Sequence, residues 1–260
     1  MSTYSDIVPV ILSLSGHDPT GAAGVQADIE SVHGNGGRCI SVITALTAQN
    51  TMRFDEILPQ DPINFRNQVE LLTADIPINA CKVGLVGSPG LVNVIADLSA
   101  TMTNIPWVVD PVLQSGTGTA LANADIIEGL LTRLFPRTTV MTPNLVEARK
   151  LTGLVDVEDA AGLLLDTGCQ NVLVTDTRPN TGTVVNILYS LDDRPRMMEW
   201  DRLPGTYHGS GCTLSSAIAA WLAQGMDVRT AVEKAQTFTW RALKRGLKIG
   251  RGQIHPQRLV

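Results

Sequence analysis

The chain has 260 residues, of which 44% are hydrophobic and 17% are charged, and this composition excludes an intrinsically disordered chain. Its formal net charge of −5 argues against a broad surface for nucleic acid or for an anionic membrane. The cysteines show neither a CxxC pair nor metal-ligand spacing, and no signal peptide or membrane-spanning apolar run is visible, so we expect a reduced cytoplasmic protein.

Short apolar runs alternate with amphipathic stretches along the chain, a pattern typical of βα units around a mostly parallel sheet. The predicted strands are residues 8–15, 38–44, 80–86, 107–110, 139–141, 171–175 and 183–189. The predicted helices are residues 22–33, 63–74, 91–100, 124–134, 145–152, 157–167, 212–224 and 228–246. The length is near the upper limit for one hydrophobic core. We therefore expect a single α/β domain over residues 1–260, with two smaller domains as the alternative.

Two asparagines are placed to begin predicted helices. Asn123 precedes the helix at 124–134, and Asn144 precedes the next one with Glu147 three residues on, a loose capping-box pattern. On the last helix, Trp240, Leu243 and Leu247 recur at helical spacing. This stripe predicts packing in the core rather than a cofactor site.

Residues with ligand-binding chemistry tend to follow the apolar runs. They are Gly16, Gln49, Gly84, Asp110, Asn144 and Thr175. Because ligands bind at the carboxyl ends of strands in open α/β sheets, we expect these residues to converge on one edge of the sheet.

Residues 15–28, SGHDPTGAAGVQAD, join a predicted strand to a predicted helix through a glycine-rich turn. Glycines let the backbone approach a ligand closely and leave N–H groups free to face it. The segment matches neither the P-loop nor the GxGxxG pattern. Taken alone, it fits a plain tight turn equally well.

Three side chains have both a ligand-binding and a structural interpretation. Gln49 carries a donor and an acceptor that suit the edge of a heterocycle, or it is a surface glutamine. Asp110, at a strand end, suits a metal–phosphate unit or a turn. Glu147 suits a water-mediated magnesium site or the helix cap already described.

Residues 209–217, GSGCTLSSA, open a strongly apolar helix with a glycine-rich turn. Backbone N–H groups at such a helix start form an anion hole, and in phosphoryl transfer this is where negative charge develops. Cys212 lies at this start, where a lowered thiol pKa would let a thiolate accept the proton of a substrate hydroxyl. The alternative for Cys212 is a small buried hydrophobe.

Six segments occur together in the order of one family: QAD at 26–28, VITALTAQN at 42–50, KVG at 82–84, VDPV at 109–112, TPNLVEA at 142–148 and HGSGCTL at 208–214. With them, the chain resembles the hydroxymethylpyrimidine/phosphomethylpyrimidine kinases of thiamine biosynthesis, within the ribokinase-like superfamily. The resemblance covers nearly the whole chain. It implies a three-layer α/β/α fold with a mostly parallel sheet, ATP and Mg²⁺ as partners, a small pyrimidine alcohol as acceptor, and a homodimer.

The resemblance also implies roles for single residues in the acceptor pocket. Gln49 and the main chain at Gly16 and Val112 would hold the aminopyrimidine. Leu85 would pack on its ring, and Asp28, counted with the substrate-binding residues, would sit near that pocket.

A second set of implied roles concerns the phosphates. Asp110 and Glu147 would organise magnesium. The residues implied for ATP are Asn144, Thr175 and Gly211, and those implied for catalysis are Gly209, Ser210, Gly211 and the base Cys212.

The chain departs from the family where phosphate is handled. Thr175 stands where a lysine is usual, and residues 113–116 read LQSG without the lysine that often follows there. Leu85 replaces a common Met, and His17 a common Ser. We therefore expect the free alcohol to be a better substrate than its monophosphate, unless Arg178 compensates.

Three other functions stay open from the sequence. A pyridoxine/pyridoxal kinase would use similar chemistry on a pyridine. A relative that binds a ligand for regulation without catalysis is favoured by the missing lysines and opposed by the intact Asp110, Glu147 and residues 209–212. A dehydrogenase is disfavoured because the dinucleotide glycine pattern is absent.

Overall fold

The computed structural model describes residues 8–191 and 193–259. The strands within these ranges form one nine-stranded sheet. Its strands are β1 Val10–His17, β2 Arg38–Gln49, β3 Phe54–Pro59, β4 Ala80–Val83, β5 Trp107–Val109, β6 Val140–Met141, β7 Asn171–Val174, β8 Thr183–Ser190 and β9 Asp193–Asp201. The described residues also form eight α-helices: α1 Gly24–Gly34, α2 Pro62–Asp75, α3 Pro89–Thr101, α4 Ala124–Gly129, α5 Leu145–Thr152, α6 Val157–Asp166, α7 Ser210–Ala223 and α8 Val228–Lys244.

The strand order explains where a ligand can bind. The order is β3-β2-β1-β4-β5-β6-β7-β8-β9. Strands β2, β1, β4, β5, β6 and β7 pair in parallel, whereas the pairs β2–β3, β7–β8 and β8–β9 are antiparallel. The chain moves from β1 to β2 on one side and later returns to place β4 on the other. Strand order therefore reverses between β1 and β4, and in sheets of this kind the crevice beyond the carboxyl ends at that point is the usual ligand site.

Two helical layers cover the sheet. On one face the core joins side chains of α2, α3, α4, α5 and α6 to the strands, with Phe65, Leu91 and Leu164 fully buried. On the other face α1, α7 and α8 supply the core, with Val32, Ile218 and Val232 fully buried. The three-layer α/β/α prediction is therefore confirmed. No helix in the described ranges is long and apolar enough to cross a bilayer.

The two predicted helix caps are confirmed. The Asn123 side chain accepts from the Ile126 N–H at 3.0 Å. Asn144 and Glu147 form a reciprocal capping box, in which each side chain accepts from the other residue's N–H, at 2.9 and 3.0 Å. Each cap satisfies helix N–H groups that have no partner inside the helix.

The structure differs from the sequence prediction at β3, β9 and α4. Both strands were missed because they lie at the two edges of the sheet, and most of their side chains are exposed, so they lack an apolar signal. The predicted helix 124–134 stops being α-helical at Gly129 and continues as a π-helical turn, Leu130–Leu134. Strand β2 continues five residues beyond its predicted end, to Gln49.

Candidate active site

Two cavities open at the carboxyl edge of the sheet and share part of their walls. The first, of about 240 Å³, lies at the ends of β1, β2 and β5 and at the start of α7. The second, of about 550 Å³, lies between β8, β9 and α8. The residues that line both are Gly116, Asn144, Thr175, Tyr207, Ser210 and Gly211. The first turn of α7 is therefore the junction of the two cavities.

The first cavity gathers the predicted site residues, with Asp28 as the exception. Its lining includes Gly16, Gln49, Leu85, Asp110, Val112, Asn144, Glu147, Thr175, Gly209, Ser210, Gly211 and Cys212. Residues that the sequence analysis gave no role also line it, among them Thr47, Phe54, Tyr207 and His208. The carboxyl-edge rule located the cavity. Thr47 and His208 lie within the family segments 42–50 and 208–214 but were given no role there, and Phe54 and Tyr207 lie in no segment that would have singled them out.

Asp28 lies beneath the cavity, close to the pocket as the resemblance implied, but it is not part of the cavity wall. It is fully buried and accepts from Ser13 Oγ at 2.6 Å and Ser216 Oγ at 2.7 Å. Lys82 Nζ, also fully buried, lies 2.8 and 3.0 Å from the two Asp28 carboxylate oxygens and 3.0 Å from Ser15 Oγ. Burial lowers the pKa of Lys82, but Asp28, Cys212 and Asp110 together outweigh burial and hold the pKa above its usual value, so the ammonium keeps its proton. A buried ion pair therefore supports the cavity floor.

Asp18 organises the glycine-rich turn from inside. Its carboxylate accepts from the backbone N–H of Thr20 and Ala23, each at 2.9 Å, and lies 3.1 Å from His208 Nε2. Burial raises the pKa of Asp18, but the hydrogen bonds from His208 and the backbone outweigh it and hold the value below normal. Because His208 directly precedes Gly209, this contact joins the turn to the start of α7.

The start of α7 depends on glycine. Gly209 has φ of +83°, and a Cβ there would overlap the carbonyl oxygen of Ala22. Only glycine therefore fits at position 209, where the two glycine-rich turns touch. The Thr213 N–H donates to Gly209 O at 2.9 Å, which leaves the preceding N–H groups without a partner inside the helix. They are available for an anion at the junction of the cavities.

Two carboxyl groups face the cavity with raised pKa values. Burial raises the pKa of Asp110 to about 6, although Lys82 opposes the shift. Burial and the charge of Asp110 raise the pKa of Glu147 to about 8. Glu147 also accepts from the N–H of Asn144 and, at 3.4 Å, of Leu113, so both its oxygens are engaged. The two groups repel each other as anions, and a cation between them would relieve that repulsion.

The expectation of a lowered thiol pKa at Cys212 is wrong for the ligand-free protein. Burial raises it to about 12, and the negative charges of Asp110 and Asp28 add to the rise, while Lys82 and the Gly24 N–H only partly offset it. The helix start is favourable to a thiolate, but here desolvation is the larger effect.

The second cavity corrects the interpretation of the apolar stripe on α8. Trp240 and Leu243 line this cavity and are only partly buried, while Leu247 lies beyond the end of α8 and is 47% exposed. Trp200 faces Trp240 with ring centroids 6.4 Å apart. The spacing identified one helix face, but spacing alone does not distinguish a cavity wall from the core.

No lysine or arginine lines the first cavity among the described residues. Arg178, the candidate substitute for the missing lysines, lines neither cavity and lies 3.9 Å from Glu199. Arg202 lines the second cavity, but it pairs with Asp176 at 2.6 Å and donates to backbone carbonyls. An anion in the first cavity therefore meets backbone N–H groups rather than cationic side chains.

A three-layer α/β/α fold with two cavities that meet at an anion-binding helix start is the architecture of the ribokinase-like small-molecule kinases, and the solved structures it resembles are of that class. Among solved structures, the pyridoxal kinase of Staphylococcus aureus in complex with AMP-PCP and pyridoxal is 26% identical, with a TM-score of 0.87 over 97% of this chain and 94% of that one. The phosphomethylpyrimidine kinase of Clostridium difficile 630 is 31% identical, with a TM-score of 0.78 over 91% and 99%.

Sequence comparison gives the family. The phosphomethylpyrimidine kinase family model matches residues 18–257, and the chain belongs to that family. Hydroxymethylpyrimidine/phosphomethylpyrimidine kinases of Streptomyces coelicolor and Synechococcus elongatus are 36% and 34% identical, over 94% and 95% of this chain and 92% and 95% of theirs. The thiamine biosynthesis bifunctional protein ThiED of Geobacter sulfurreducens is 35% identical over 93% of this chain, which spans only 50% of that protein.

Proposed function

We propose that this protein transfers the γ-phosphoryl group of ATP to the hydroxymethyl group of 4-amino-5-hydroxymethyl-2-methylpyrimidine, and less efficiently to the monophosphate of that alcohol. The observation that carries the proposal is the junction of two cavities at the first turn of α7. One cavity is of a size for a single heterocycle, and the larger one has an aromatic wall suited to a nucleobase. Phosphoryl transfer needs donor and acceptor to meet at a group of anion-binding N–H donors.

The acceptor would bind in the first cavity. Gln49 ends β2 with one amide hydrogen bonded to Thr47 Oγ1 at 2.9 Å, which orients its amide group. Its remaining donor and its carbonyl would read the aminopyrimidine edge. Leu85 would pack on the ring, with the main chain at Gly16 and Val112 on its other sides. A pyridoxal ring would fit the same apolar wall, so the amide edge is the expected discriminator.

The nucleotide would extend from the second cavity to the junction. Asn144 and Thr175 lie in both walls, where a phosphate chain would pass between the cavities. The N–H groups of residues 209–212 would bind the transferred group. Thr175 offers a hydroxyl hydrogen bond where the family has a charge.

Two carboxyl groups of the first cavity fit a magnesium ion. Asp110 and Glu147 are buried with raised pKa values, that of Glu147 partly through the charge of Asp110, and a divalent cation would stabilise both as anions. No group of three or more metal-ligating side chains occurs in the described ranges, which suits an ion held by one or two carboxylates with water and phosphates. Bound Mg²⁺ would neutralise phosphate charge. Asp110 would contact it directly, and Glu147 through water because its oxygens already accept backbone N–H groups.

Cys212 is the proposed general base. Its thiol lies at the cavity wall beside Asp110, and the Lys82 ammonium beneath favours the thiolate. Cys212→Ser keeps every backbone N–H of the anion hole, so ATP affinity should stay within about twofold. The rate of phosphoryl transfer should fall by about two to four powers of ten if Cys212, after losing its own proton to solvent, accepts the hydroxyl proton as the thiolate. Near-native turnover in the Ser variant would mean that Cys212 only packs.

The deciding experiment is an ATP-turnover panel with the pyrimidine alcohol, its monophosphate, pyridoxine and pyridoxal. We expect the highest kcat/KM for the pyrimidine alcohol. A preference for pyridoxal would identify the protein as a pyridoxal kinase. Ligand binding without turnover of any of the four would identify a non-catalytic relative.

Preference for the free alcohol has a second, independent test. A substrate phosphate would bring up to two negative charges into a cavity that already contains two carboxyl groups. Thr175→Lys should improve kcat/KM for the monophosphate relative to the alcohol by about tenfold. Thr177→Lys, two residues on and outside both cavity walls, is the matched control. An unchanged ratio in Thr175→Lys would contradict the electrostatic explanation.

We also propose a homodimer, a cytoplasmic location and one domain over the whole chain. An unpaired edge strand, β3, with the exposed side chains of Leu46, Met52 and Leu58 nearby, supports self-association. The four free cysteines support a reducing compartment. The single sheet supports one domain. Light scattering, cell fractionation and the cooperativity of unfolding test the three statements in turn.

A further inference from the structure

The segment that follows α8 returns to the active site and pairs with two of its loops. The Gly252 N–H donates to Thr51 Oγ1 at 3.2 Å, just after the end of β2. Ile254 exchanges backbone hydrogen bonds with the loop before α7: its N–H donates to Thr206 O at 2.8 Å, and its carbonyl accepts from the His208 N–H at 3.0 Å. This segment therefore borders the loop that leads into the anion hole.

Arg258 lies near the end of this segment, and its side chain is buried in the protein interior. It is 3% exposed, and its guanidinium has three partners. Nε donates to Thr213 Oγ1 at 2.8 Å, Nη1 donates to Glu30 Oε2 at 3.0 Å, and Nη2 donates to the carbonyl oxygen of Ala22. Thr213 Oγ1 in turn donates to Gly209 O at 2.7 Å. One planar group thus joins the glycine-rich turn, α1 and the first turn of α7.

The same contacts surround Gly209. The Ala22 carbonyl oxygen is so close that a Cβ on Gly209 would overlap it, and Arg258 Nη2 would lie 2.9 Å from that Cβ. The guanidinium therefore binds both residues that set the position of Gly209, namely Ala22 and Thr213. A residue that served only to anchor the C-terminal segment would need neither partner. The fixed fork of donors also explains why arginine suits the position and lysine does not.

We propose that Arg258 is a positioning residue for the anion hole, one that holds the N–H groups of residues 209–212 against the glycine-rich turn without touching a ligand. The proposal rests on the proposed kinase function. Without the guanidinium, the Ala22 carbonyl and Thr213 hydroxyl lose a buried partner, and the helix start can shift. A displacement of about 1 Å at a reacting centre can cost about a hundredfold in rate.

Arg258→Ala should lower kcat by about tenfold to a hundredfold and leave KM for the pyrimidine alcohol within about twofold, because Gln49 and Leu85 are not attached to the guanidinium. Arg258 also lines a surface groove with Arg241 and Arg245. Added guanidinium ion at a non-denaturing concentration can therefore reach the vacated position and should restore part of kcat, whereas urea at the same concentration should not. Arg241→Ala and Arg245→Ala, two exposed arginines of the same groove, are the matched controls and should behave like the wild type.

Substitutions of the two side chains that bind the Arg258 guanidinium distinguish a positioning role from simple anchoring of the C-terminal segment. Thr213→Val removes the acceptor on α7 and should reproduce the loss of kcat, while Glu30→Ala removes only the contact with α1 and should lower stability without lowering kcat. If Arg258→Ala does not fold, Arg258→Lys provides the kinetic comparison. Its kcat should also fall below that of the wild type, but by less than the value expected for Arg258→Ala. Equal losses of kcat in Glu30→Ala and Thr213→Val would overturn the proposal.

Hydrogen exchange of the ligand-free protein keeps this test independent of the kinase function. The amides of His208 and Thr213, both hydrogen-bonded in the structure, should exchange at least about tenfold faster in Arg258→Ala than global destabilisation accounts for. If the wild type turns over none of the four alcohols, the proposed function fails, and the exchange rates still decide on Arg258. Wild-type turnover in Arg258→Ala, or faster exchange spread evenly over the chain, would show that Arg258 only stabilises the fold.

Discussion

Removing the ammonium of Lys82 should destabilise the protein far more than an ordinary surface change. Lys82→Met leaves the Asp28 carboxylate fully buried with only two serine donors, Ser13 and Ser216. Breaking a buried ion pair in this way costs about 3–5 kcal/mol, a large share of the roughly 5–15 kcal/mol that holds a domain together. Asp28→Asn should cost a similar amount, because it leaves the ammonium without its carboxylate.

A double variant tests the energetic coupling between Lys82 and Asp28 directly. Lys82→Met with Asp28→Asn removes both charges, so its loss should be smaller than the sum of the single losses by about 2 kcal/mol or more. The assay is urea unfolding of the four proteins at one pH, with m-values compared to check that two-state behaviour holds. Additive losses within about 0.5 kcal/mol would refute the coupling that the contacts predict.

The same variants should change the titration of Asp110 in opposite directions. Lys82 lowers the pKa of Asp110 and Asp28 raises it, so Lys82→Met should move it above its value of about 6, while Asp28→Asn should move it below. At neutral pH the Met variant therefore holds more protonated Asp110. Carboxyl signals in NMR titrations would detect the difference, and equal pKa values in both single variants would contradict it.

Three further predictions follow from the site and the chain that supports it. Asp110→Asn should abolish most of the dependence of turnover on Mg²⁺ while pyrimidine binding, measured by calorimetry, persists; an unaltered magnesium titration would contradict the role of Asp110. Gly209→Ala should lower stability by at least about 1–3 kcal/mol because of its positive φ and the Ala22 carbonyl, whereas Gly162→Ala, a helical position with open space around it, should be neutral or stabilising. Burial lowers the pKa of His255 below its ordinary 6.5, and neighbouring His208 and Arg258 lower it further. Below pH 6.5 the imidazole is therefore protonated in the unfolded chain before it is protonated in the folded protein. Asp110 and Glu147, with raised pKa values, contribute the opposite slope to both proteins, so the test is a difference. The stability of the wild type relative to His255→Asn, from urea unfolding curves, should fall as pH drops below about 6.5.

The sequence predicted the parts of this protein that follow from burial on both sides of a sheet. Strands such as β1 are buried along nearly their whole length, so continuous apolar runs located them, and the residues after those runs located the first cavity. Edge strands gave no such signal, because β3 and β9 keep most side chains in water. The helix caps were predictable because a cap is a local contact, three residues long.

Properties that depend on distant neighbours were not predictable. The pKa of Cys212 rises mainly because distant parts of the chain bury the thiol, and the charges of Asp110 and Asp28, which are also distant in sequence, add to the rise. Trp240 and Leu243 line a cavity because β8 and β9 leave space beside α8, and no pattern within the helix records that space. Arg258 is hydrogen-bonded to Glu30, which lies 228 positions earlier in the chain, and to Ala22, which lies 236 positions earlier. Local sequence patterns carry no information over such separations.

The interior position of Arg258 has a consequence for the order in which the protein is made. Its partners Ala22 and Glu30 leave the ribosome more than two hundred residues earlier, yet their contacts form only after residue 258 has emerged. Contacts between such distant positions form late, because a long loop of chain must close first. A nascent chain can thus build most of its sheet while its glycine-rich turn lacks the guanidinium. The turn would then gain this support only after residue 258 has emerged, so that chains truncated before it would lack the contact.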